Sequence, residues 1–263
     1  MSEAYGVPAV VRAARLLRHV GMGNDLSNQS VAAKALGINR TTLMRLVASL
    51  EAESLLERTG SGGFQLGSAF IELAAHRIFS ADIVTVAGPI VARLAAELGL
   101  SAHLGQLDGR DVLYVLRHAP NVSLVSNVRV GSRLPAHATT MGRVLLAGKS
   151  RAEIEALYED ADLPAATAKT ATTLPALLAL LAADRARGHA DSEGAFEAGI
   201  DSIAAPVRDA SGAVIAAINV TGPEAGFRGT ERRATIRAAV IGAAADASRR
   251  MGHRGQDIDR RAS

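Results

Sequence analysis

The sequence contains no cysteine and few aromatic residues. Without cysteine, the chain can form neither disulfide bonds nor thiolate metal sites. Only 3% of the residues are aromatic, so its core must consist mainly of Ala, Leu, Val and Ile. Hydrophobic residues nevertheless make up 48% of the 263 residues, and charged residues make up 21%. These values are typical of a globular protein with two ordinary domains or one large domain.

Long apolar runs are also absent. No segment reaches the roughly 20 consecutive apolar residues of a membrane-spanning helix, and the segment Met1–Leu17 lacks the pattern of a secretion signal. We therefore expect a cytoplasmic protein. The formal net charge of +3 is too small to indicate a nucleic-acid partner by itself. The positions of the charges along the chain are more informative than their sum.

The segment Leu26–Leu66 has the pattern of a helix-turn-helix followed by a wing. Apolar residues recur at helical spacing on both sides of Gly37, which predicts two short helices joined by a sharp turn. Asn39 can cap the second helix with its side-chain oxygen. The apolar pairs around the glycine-rich turn at residues 59–63 predict a β-hairpin, which would form the wing.

The charges of this segment favour DNA binding. No Asp or Glu occurs from Leu26 to Leu50, so the surface would not repel phosphate. Arginines and short hydroxyl side chains at the start of the second helix suit base edges in a major groove, and the wing suits the backbone or minor groove. The expected DNA-binding residues are Ser30, Asn39, Arg40, Thr41, Thr42, Arg45, Arg58, Ser61 and Gly62. A small helical bundle without a nucleic-acid role is the alternative at this point.

The remaining chain mixes helix and strand patterns. An amphipathic helix is predicted around Val10–Val20, another at residues 68–77, and a third at residues 83–98 with a break at Gly88–Pro89. Hairpin signals at Asp108–Gly109 and at residues 209–212 predict an α+β domain with an antiparallel sheet. The predicted strands are 102–107, 112–116, 122–130, 203–207 and 214–221, and the predicted helices are 139–147, 151–158, 174–187 and 230–250.

Six stretches of the chain, taken together with their order and spacing, resemble those of a known protein family. They are Val11–Ala14, Leu36–Thr42, Arg45–Leu50, Gly131–Ala147, Ile203–Asp209 and Asn219–Pro223. On these residues the chain resembles the IclR family of bacterial transcription regulators over nearly its whole length. The resemblance implies a winged helix-turn-helix DNA-binding domain, a GAF-like α/β effector-binding domain, control by a small metabolite, and dimers that commonly associate as tetramers.

The order of the predicted elements also sets the expected domain boundaries. The DNA-binding domain would span residues 1–67, a linker helix 68–82, the effector-binding domain 83–252 and a solvated tail 253–263. Three residues depart from the family pattern. Ser54 stands where a glycine is expected after the recognition helix, and Ser192 and Asn219 replace commoner residue types.

An effector site is expected in the second domain. The strand at 214–221 alternates, which places Asn219 and Thr221 beside small apolar residues on one face. Thr139 and Thr140 open a helix whose backbone amides could hold a carboxylate, so a small organic acid is the expected ligand. The resemblance adds further pocket positions, and the expected set is Val115, Thr140, Met141, Ser192, Ile200, Ser202, Asn219 and Thr221. Alternatively, Asn219 and Thr221 only satisfy neighbouring backbone groups.

Motifs for metal binding or catalysis are not found. His103, His118 and His137 lack the spacing with Glu that zinc hydrolases use, and Gly148–Ser150 follows a helical run instead of a phosphate loop. No Gly-x-Ser-x-Gly motif occurs. We therefore expect neither a cofactor nor a metal, and we interpret the chain as a DNA-binding regulator and not an enzyme. A metabolic enzyme and a ligand-free interaction module, each built on the second domain, are the alternatives.

Overall fold

A computed structural model describes residues 7–24, 26–60, 62–73, 82–119 and 128–254. The chain divides into two compact units, residues 1–80 and 81–263. This division falls inside the segment to which the sequence assigns a linker helix. Residues 69–73 of that segment are helical, and residues 74–81 lie outside the described residues.

Before residue 67, the described part of the N-terminal unit forms helices packed with a two-stranded antiparallel sheet. Its elements are α1 (Pro8–Gly21), α2 (Gln29–Leu36), α3 (Arg40–Ala52), β1 (Leu56–Arg58) and β2 (Phe64–Leu66). Leu16, Leu43 and Leu56 are fully buried where the helices and the hairpin meet. The predicted winged helix-turn-helix is confirmed.

The turn between α2 and α3 follows from local chemistry. Gly37 ends α2 with a φ of 65°, a left-handed conformation that glycine adopts without a Cβ penalty. Asn39 then caps α3, because its Oδ1 accepts a hydrogen bond of 2.7 Å from the backbone N–H of Thr42. These two residues fix the direction in which α3 leaves the turn.

Ser54, at the residue where the family pattern has glycine, adopts a φ of 54° and is the non-glycine residue with positive φ in the described chain. This conformation costs an L-residue about 1–2 kcal/mol, whereas glycine tolerates it. We expect Ser54→Gly to stabilise the N-terminal unit by about 0.5–1 kcal/mol, after allowance for the greater flexibility of glycine in the unfolded chain. Thermal or urea unfolding measures the change.

Ser49→Gly is the matched control for this prediction. Ser49 is an exposed residue inside α3, so glycine there should destabilise the unit by a few tenths to about 1 kcal/mol. Equal destabilisation by both substitutions would show that the backbone at Ser54 is not strained.

The C-terminal unit is built on a six-stranded antiparallel sheet with the order β5-β4-β3-β8-β7-β6. The strands are β3 (Ser101–Asp108), β4 (Asp111–His118), β5 (Arg133–Pro135), β6 (Ala190–Glu193), β7 (Ile200–Arg208) and β8 (Val214–Pro223). The helices are α4 (Asp82–Leu98), α5 (Thr140–Ala147), α6 (Arg151–Tyr158), α7 (Leu174–Arg187) and α8 (Thr230–Arg250), and a 3-10 turn spans Glu224–Phe227. The predicted α+β architecture is confirmed.

The sheet separates two hydrophobic clusters. Alternate strand residues such as Leu104 and Ile218 pack against α4 and α8 on one face. Their neighbours, such as Tyr114 and Ala217, pack against α5, α6 and α7 on the other face. In the described part of the chain, no helix combines the length and the apolar character that crossing a bilayer requires.

The predicted break at Gly88–Pro89 is wrong, because α4 runs without interruption from Asp82 to Leu98. A proline inside a helix costs about 3 kcal/mol. Ile90, Val91 and Leu94 follow it and are 0–3% exposed against the sheet. Each buried side chain of this size contributes about 1.5–3 kcal/mol, so the packing of α4 outweighs the loss of one backbone hydrogen bond.

Two parts of the predicted sheet differ from the structure. The predicted strand at residues 122–130 lies mostly outside the described residues, and residues 128–130 are not a strand. The edge strands β5 and β6 were not predicted. Both are short, with three and four residues, and neither shows a clear alternation of apolar and polar residues. Of the predicted tail 253–263, residues 255–263 lie outside the described chain.

Candidate functional site

The exposed face of α3 carries the predicted recognition residues. Arg40, Thr41 and Arg45 are exposed, Thr42 is half-buried, and Ser30 lies exposed on α2. Arg40 is held against α2, because its Nε donates a hydrogen bond of 3.1 Å to Oε1 of Gln29. The face therefore presents hydroxyls and guanidinium groups, the donors and acceptors that read base edges and phosphates.

Asn39 and Arg58 have structural partners in this unit. The side-chain oxygen of Asn39 is occupied as the cap of α3. Arg58 on β1 forms a two-pronged ion pair with Glu51, with N–O distances of 2.7 and 3.3 Å, and its guanidinium lies 5.0 Å from the centre of the Phe64 ring. These contacts connect the wing to the end of α3, so Arg58 has a role in positioning the wing.

The wing turn is built around glycine. Gly62 has a φ of 82° and is exposed, and its N–H donates to the carbonyl of Thr59 at 3.0 Å. Ser61, another predicted DNA-binding residue, lies outside the described residues. The N–H of Gly63 also donates within the turn, to Oγ1 of Thr59 at 3.0 Å, so a DNA contact of Gly62 stays a prediction.

The C-terminal unit contains a cavity of about 50 Å³ between the sheet and the start of α5. A cavity that holds a single water molecule has a volume of about 10–15 Å³ on the same scale, so this cavity suits a small ligand. Its wall combines aromatic, aliphatic and hydroxyl side chains. The lining residues are His103, Tyr114, Val128, Leu134, Ala138, Thr139, Thr140, Ser192, Phe196, Glu197, Ile200, Ser202, Asn219 and Thr221.

A chain of hydrogen bonds crosses the wall of this cavity. The Nδ1 atom of His103 lies 3.0 Å from Oδ1 of Asn219. The Nδ2 of Asn219 donates to Oγ of Ser202 at 3.1 Å, and that oxygen lies 2.7 Å from Oγ1 of Thr140. Because β3, β8 and β7 are adjacent in the sheet, residues that are distant in the sequence form one polar strip.

His103 is fully buried and electrically neutral near neutral pH. Burial, which disfavours a charged imidazolium, and the nearby positive charge of Arg117 lower its pKa to about 4, although the hydrogen bond to Asn219 acts in the opposite direction. Its ring meets that of Tyr114 edge to face, with centroids 5.5 Å apart. The Nε2 atom of His103 is buried, and no described residue forms a hydrogen bond with it.

The start of α5 forms another part of the wall. Thr139 caps this helix, with its Oγ1 accepting a hydrogen bond of 3.0 Å from the N–H of Gly142. A Cβ atom on Gly142 would lie 2.2 Å from the Cα of Ala136, so only glycine allows this close approach of helix and loop. The helix N-terminus is thereby held at the cavity, where its partial positive charge favours an anion.

Six of the eight predicted effector residues line the cavity: Thr140, Ser192, Ile200, Ser202, Asn219 and Thr221. Two of them, Thr221 and Ser192, also form hydrogen bonds with backbone groups, and the alternative interpretation expects this of Thr221. Thr221 donates to the carbonyl of Asp201 at 3.0 Å, and Ser192 accepts from the N–H of Ala195 at 3.0 Å. Within the described chain, the side chain of Asn219 instead forms hydrogen bonds with two other side chains, those of His103 and Ser202.

The other two predicted effector residues, Val115 and Met141, are not among the residues that line the cavity. Val115 packs against the hydrophobic cluster on the opposite face of the sheet. A bulge opposite Leu104–Gly105 shifts the register of β4, and Tyr114 faces the cavity in its place. Met141 is fully buried in the cluster between α5 and the sheet.

The cavity includes residues that the sequence argument did not assign to it. They include His103, Tyr114 and Phe196, none of which is among the expected effector residues. The alternation of Val112 with Tyr114 could have placed the tyrosine on the inner face. Among the described residues, no group of three or more His, Asp or Glu side chains is arranged to hold a metal ion.

Comparison with known proteins gives consistent matches for both units. The model of the family "Bacterial transcriptional regulator IclR C-terminal" matches residues 75–249, and a model of the MarR family matches residues 5–63. The HTH-type transcriptional regulator XynR of Escherichia coli (strain K12) is 29% identical over 219 residues, which are 82% of this chain and 87% of XynR.

Solved structures resemble the chain over nearly its full length. A transcriptional regulator from Rhodococcus sp. RHA1 superposes with a TM-score of 0.81 at 30% identity, covering 94% of this chain and 98% of the other. An IclR homologue from Microbacterium hydrocarbonoxydans, solved in complex with 4-hydroxybenzoate, has a TM-score of 0.81 at 26% identity, covering 92% and 98%.

Proposed function

The chain belongs to the IclR family of bacterial transcriptional regulators, and we propose that it binds operator DNA under the control of a small organic acid held in the cavity of its C-terminal unit. Its relatives are regulators and not enzymes. The DNA contacts would come from the exposed residues of α3 and from the wing. We place the protein in the cytoplasm, where such DNA is found.

We propose an acid as the ligand mainly because of the position of α5. Its N-terminus borders the cavity through Thr139 and Thr140, and no acidic residue occupies the first turn of the helix. Peptide N–H groups and the helix dipole at this end stabilise a carboxylate by about 0.3–1 kcal/mol or more when partly buried. The complex of the Microbacterium homologue with 4-hydroxybenzoate supports the same class of ligand.

The cavity wall also favours a flat apolar body. The sequence has only five Phe and three Tyr, and Tyr114 and Phe196 both line this cavity. Aromatic side chains here provide apolar area for a ring or a short hydrocarbon chain. The polar strip from His103 to Thr140 would then orient the ligand.

We further propose that the protein acts as a homodimer or a dimer of dimers. A helix-turn-helix usually reads paired half-sites, which requires two copies of α3. Apolar side chains at the start of α1 support this proposal, because Val7 and Val10 are 60% and 64% exposed. An effector that weakens operator binding must itself bind less tightly to the DNA-bound protein, because the two equilibria are linked.

The test of this function combines DNA binding with ligand binding. Fluorescence anisotropy with a labelled duplex from the intergenic region next to the gene should show binding that changes when small carboxylic acids are added. Absence of binding to this duplex at low salt, with and without the acids, would contradict the proposed regulator.

Asn219→Ala should abolish the thermal shift that the active acid produces in the full chain. Asn219 forms hydrogen bonds with both His103 and Ser202 in the polar strip, so its loss leaves both side chains without the contact that orients them. Gln106→Ala is the matched control: Gln106 lies on the adjacent strand β3, where its side chain donates to the carbonyl of Ile215. A retained shift in the Asn219 variant would place the ligand elsewhere.

A further inference from the structure

Helix α3 exposes a large apolar side chain among its polar recognition residues. Met44 is 37% exposed, whereas Leu43 and Val47 on the same helix are buried in the core of the N-terminal unit. A single exposed apolar residue is common on protein surfaces and needs no explanation of its own. The neighbours of Met44 on the helix surface, however, give it a more specific setting.

Met44 belongs to an apolar stripe on α3 that consists of Thr41, Met44 and Ala48. All three residues are exposed. They are spaced three and four residues apart, so successive turns of the helix place them side by side. Each of the three side chains carries a methyl group. The stripe is therefore a small apolar surface within an otherwise polar helix face.

Positive charge borders this apolar stripe on both sides. With about 3.6 residues per turn, Arg40 lies along one side of the stripe and Arg45 along the other, and both residues are exposed. No Asp or Glu occurs from Leu26 to Leu50. The major groove of DNA has the complementary arrangement, because the base edges on its floor lie between two negatively charged phosphate backbones. An apolar stripe between two cations therefore matches this groove in both polarity and charge.

We propose that Met44 is a specificity residue that recognises thymine, by packing its side chain against the 5-methyl group of a thymine base in the major groove. This inference rests on the proposed function, because α3 is the helix that would enter the operator. Of the four bases, thymine is the one that presents a methyl group in this groove, whereas the others present mainly hydrogen-bonding atoms. Methionine suits the contact because its unbranched, polarisable side chain adapts to the shape of its partner.

Single replacements of thymine by uracil test this contact, because uracil lacks only the 5-methyl group. The probe is the duplex from the intergenic region next to the gene, prepared as a series in which each thymine of the nuclease-protected segment is replaced in turn. In anisotropy titrations, the full-length wild-type chain should lose about 4-fold in affinity at one or more positions, the effect of one buried methyl group. In Met44→Gln, at least one of these positions should become insensitive, since glutamine has a similar length but a polar end.

Met22→Gln is the matched control, because Met22 is 79% exposed at the end of α1 and lies outside α3. It makes the same chemical change and should keep every sensitive position. Met44→Leu should also keep them, since leucine is apolar and of similar volume. If uracil acted only through the stiffness of the duplex, the wild-type chain and Met44→Gln would lose affinity at the same positions.

The outcomes separate this inference from the proposed function. Binding of the wild-type chain to the unmodified duplex, with no loss at any uracil position, would overturn the thymine contact and leave a DNA-binding regulator. If Met44→Gln keeps every sensitive position, or Met44→Leu loses them, the methyl groups are recognised by other residues, and the role of Met44 is overturned. If the wild-type chain does not bind the unmodified duplex, the proposed function itself fails, and the inference fails with it.

Discussion

Asp184→Asn is expected to destabilise the C-terminal unit by about 3–5 kcal/mol, the usual cost of breaking a buried ion pair from one side. Arg143 on α5 and Asp184 on α7 have side chains that are 5% and 0% exposed. Nε and one terminal nitrogen of Arg143 lie 2.7 and 2.9 Å from the two carboxylate oxygens. The asparagine would leave the buried guanidinium without its counter-charge.

The effect should extend to the cavity. Arg143 also donates to the backbone carbonyl of Asp191 at 3.3 Å, so it connects α5 to β6. Thr140 at the start of α5 and Ser192 on β6 both line the cavity. A loosened α5 should therefore weaken acid binding as well as stability. Neither Arg143 nor Asp184 is among the residues that line the cavity, so we expect the ion pair to act by positioning α5.

Urea unfolding followed by circular dichroism measures this prediction. Glu155→Gln is the control, because Glu155 forms a partly exposed ion pair of 2.8 Å with Arg151, and its loss should cost less than about 1 kcal/mol. The double variant Arg143→Met/Asp184→Leu should recover much of the stability, since it buries no charge. Similar unfolding midpoints for Asp184→Asn and the wild-type chain would show that the pair contributes little.

Elements with local signals could be predicted from the sequence. Helix α6 follows Ser150, which forms a capping box with Glu153, and α7 follows Thr173, whose side chain caps the helix ahead of Pro175. Their bounds coincide with the predicted 151–158 and 174–187. The Asp108–Gly109 turn likewise defines its hairpin, with Asp108 paired to Asp111. In these elements the stabilising contacts lie within a few residues of each other.

Elements that depend on distant partners could not be predicted in this way. The alternation of β8 holds from Ala216 to Thr221, but Ile215 packs on the α4 side and Val214 on the other. A register shift at Val207–Arg208 of the paired strand β7 reverses them. A bulge is a property of two strands, and one strand's sequence does not contain it.

The polar strip of the cavity shows the same limit. Asn219 and Thr221 could be assigned to one face because they are two residues apart on one strand. The role of His103 depends on the pairing of β3 with β8, where it stands opposite Asn219. From sequence, a histidine is a candidate metal ligand. That His103 is buried and neutral can be recognised only from the positions of the neighbouring strands.

Arg45→Ala should weaken operator binding by about 1–3 kcal/mol, or roughly 5- to 150-fold, if its guanidinium makes a bidentate contact with a base. Arg45 is exposed on α3, on the side opposite the buried Leu43 and Val47. Within the described residues it makes no hydrogen bond or ion pair, whereas Arg40 is bonded to Gln29. The guanidinium of Arg45 therefore gives up no internal partner when it enters a groove.

Arg45→Lys distinguishes a base contact from a phosphate contact. Lysine keeps the positive charge but lacks the planar pair of donors. Compared with Arg45→Ala, it should therefore recover a contact with phosphate but not the recognition of a base. If Arg45 reads a base, both variants should lose the discrimination between operator and scrambled duplex in anisotropy titrations at several salt concentrations. If it contacts only phosphate, Arg45→Ala should weaken binding to both duplexes equally. The slope of the logarithm of the affinity against the logarithm of the salt concentration should then fall by about one. Unchanged affinity in Arg45→Ala at every salt concentration would contradict both roles and remove Arg45 from the DNA-binding surface.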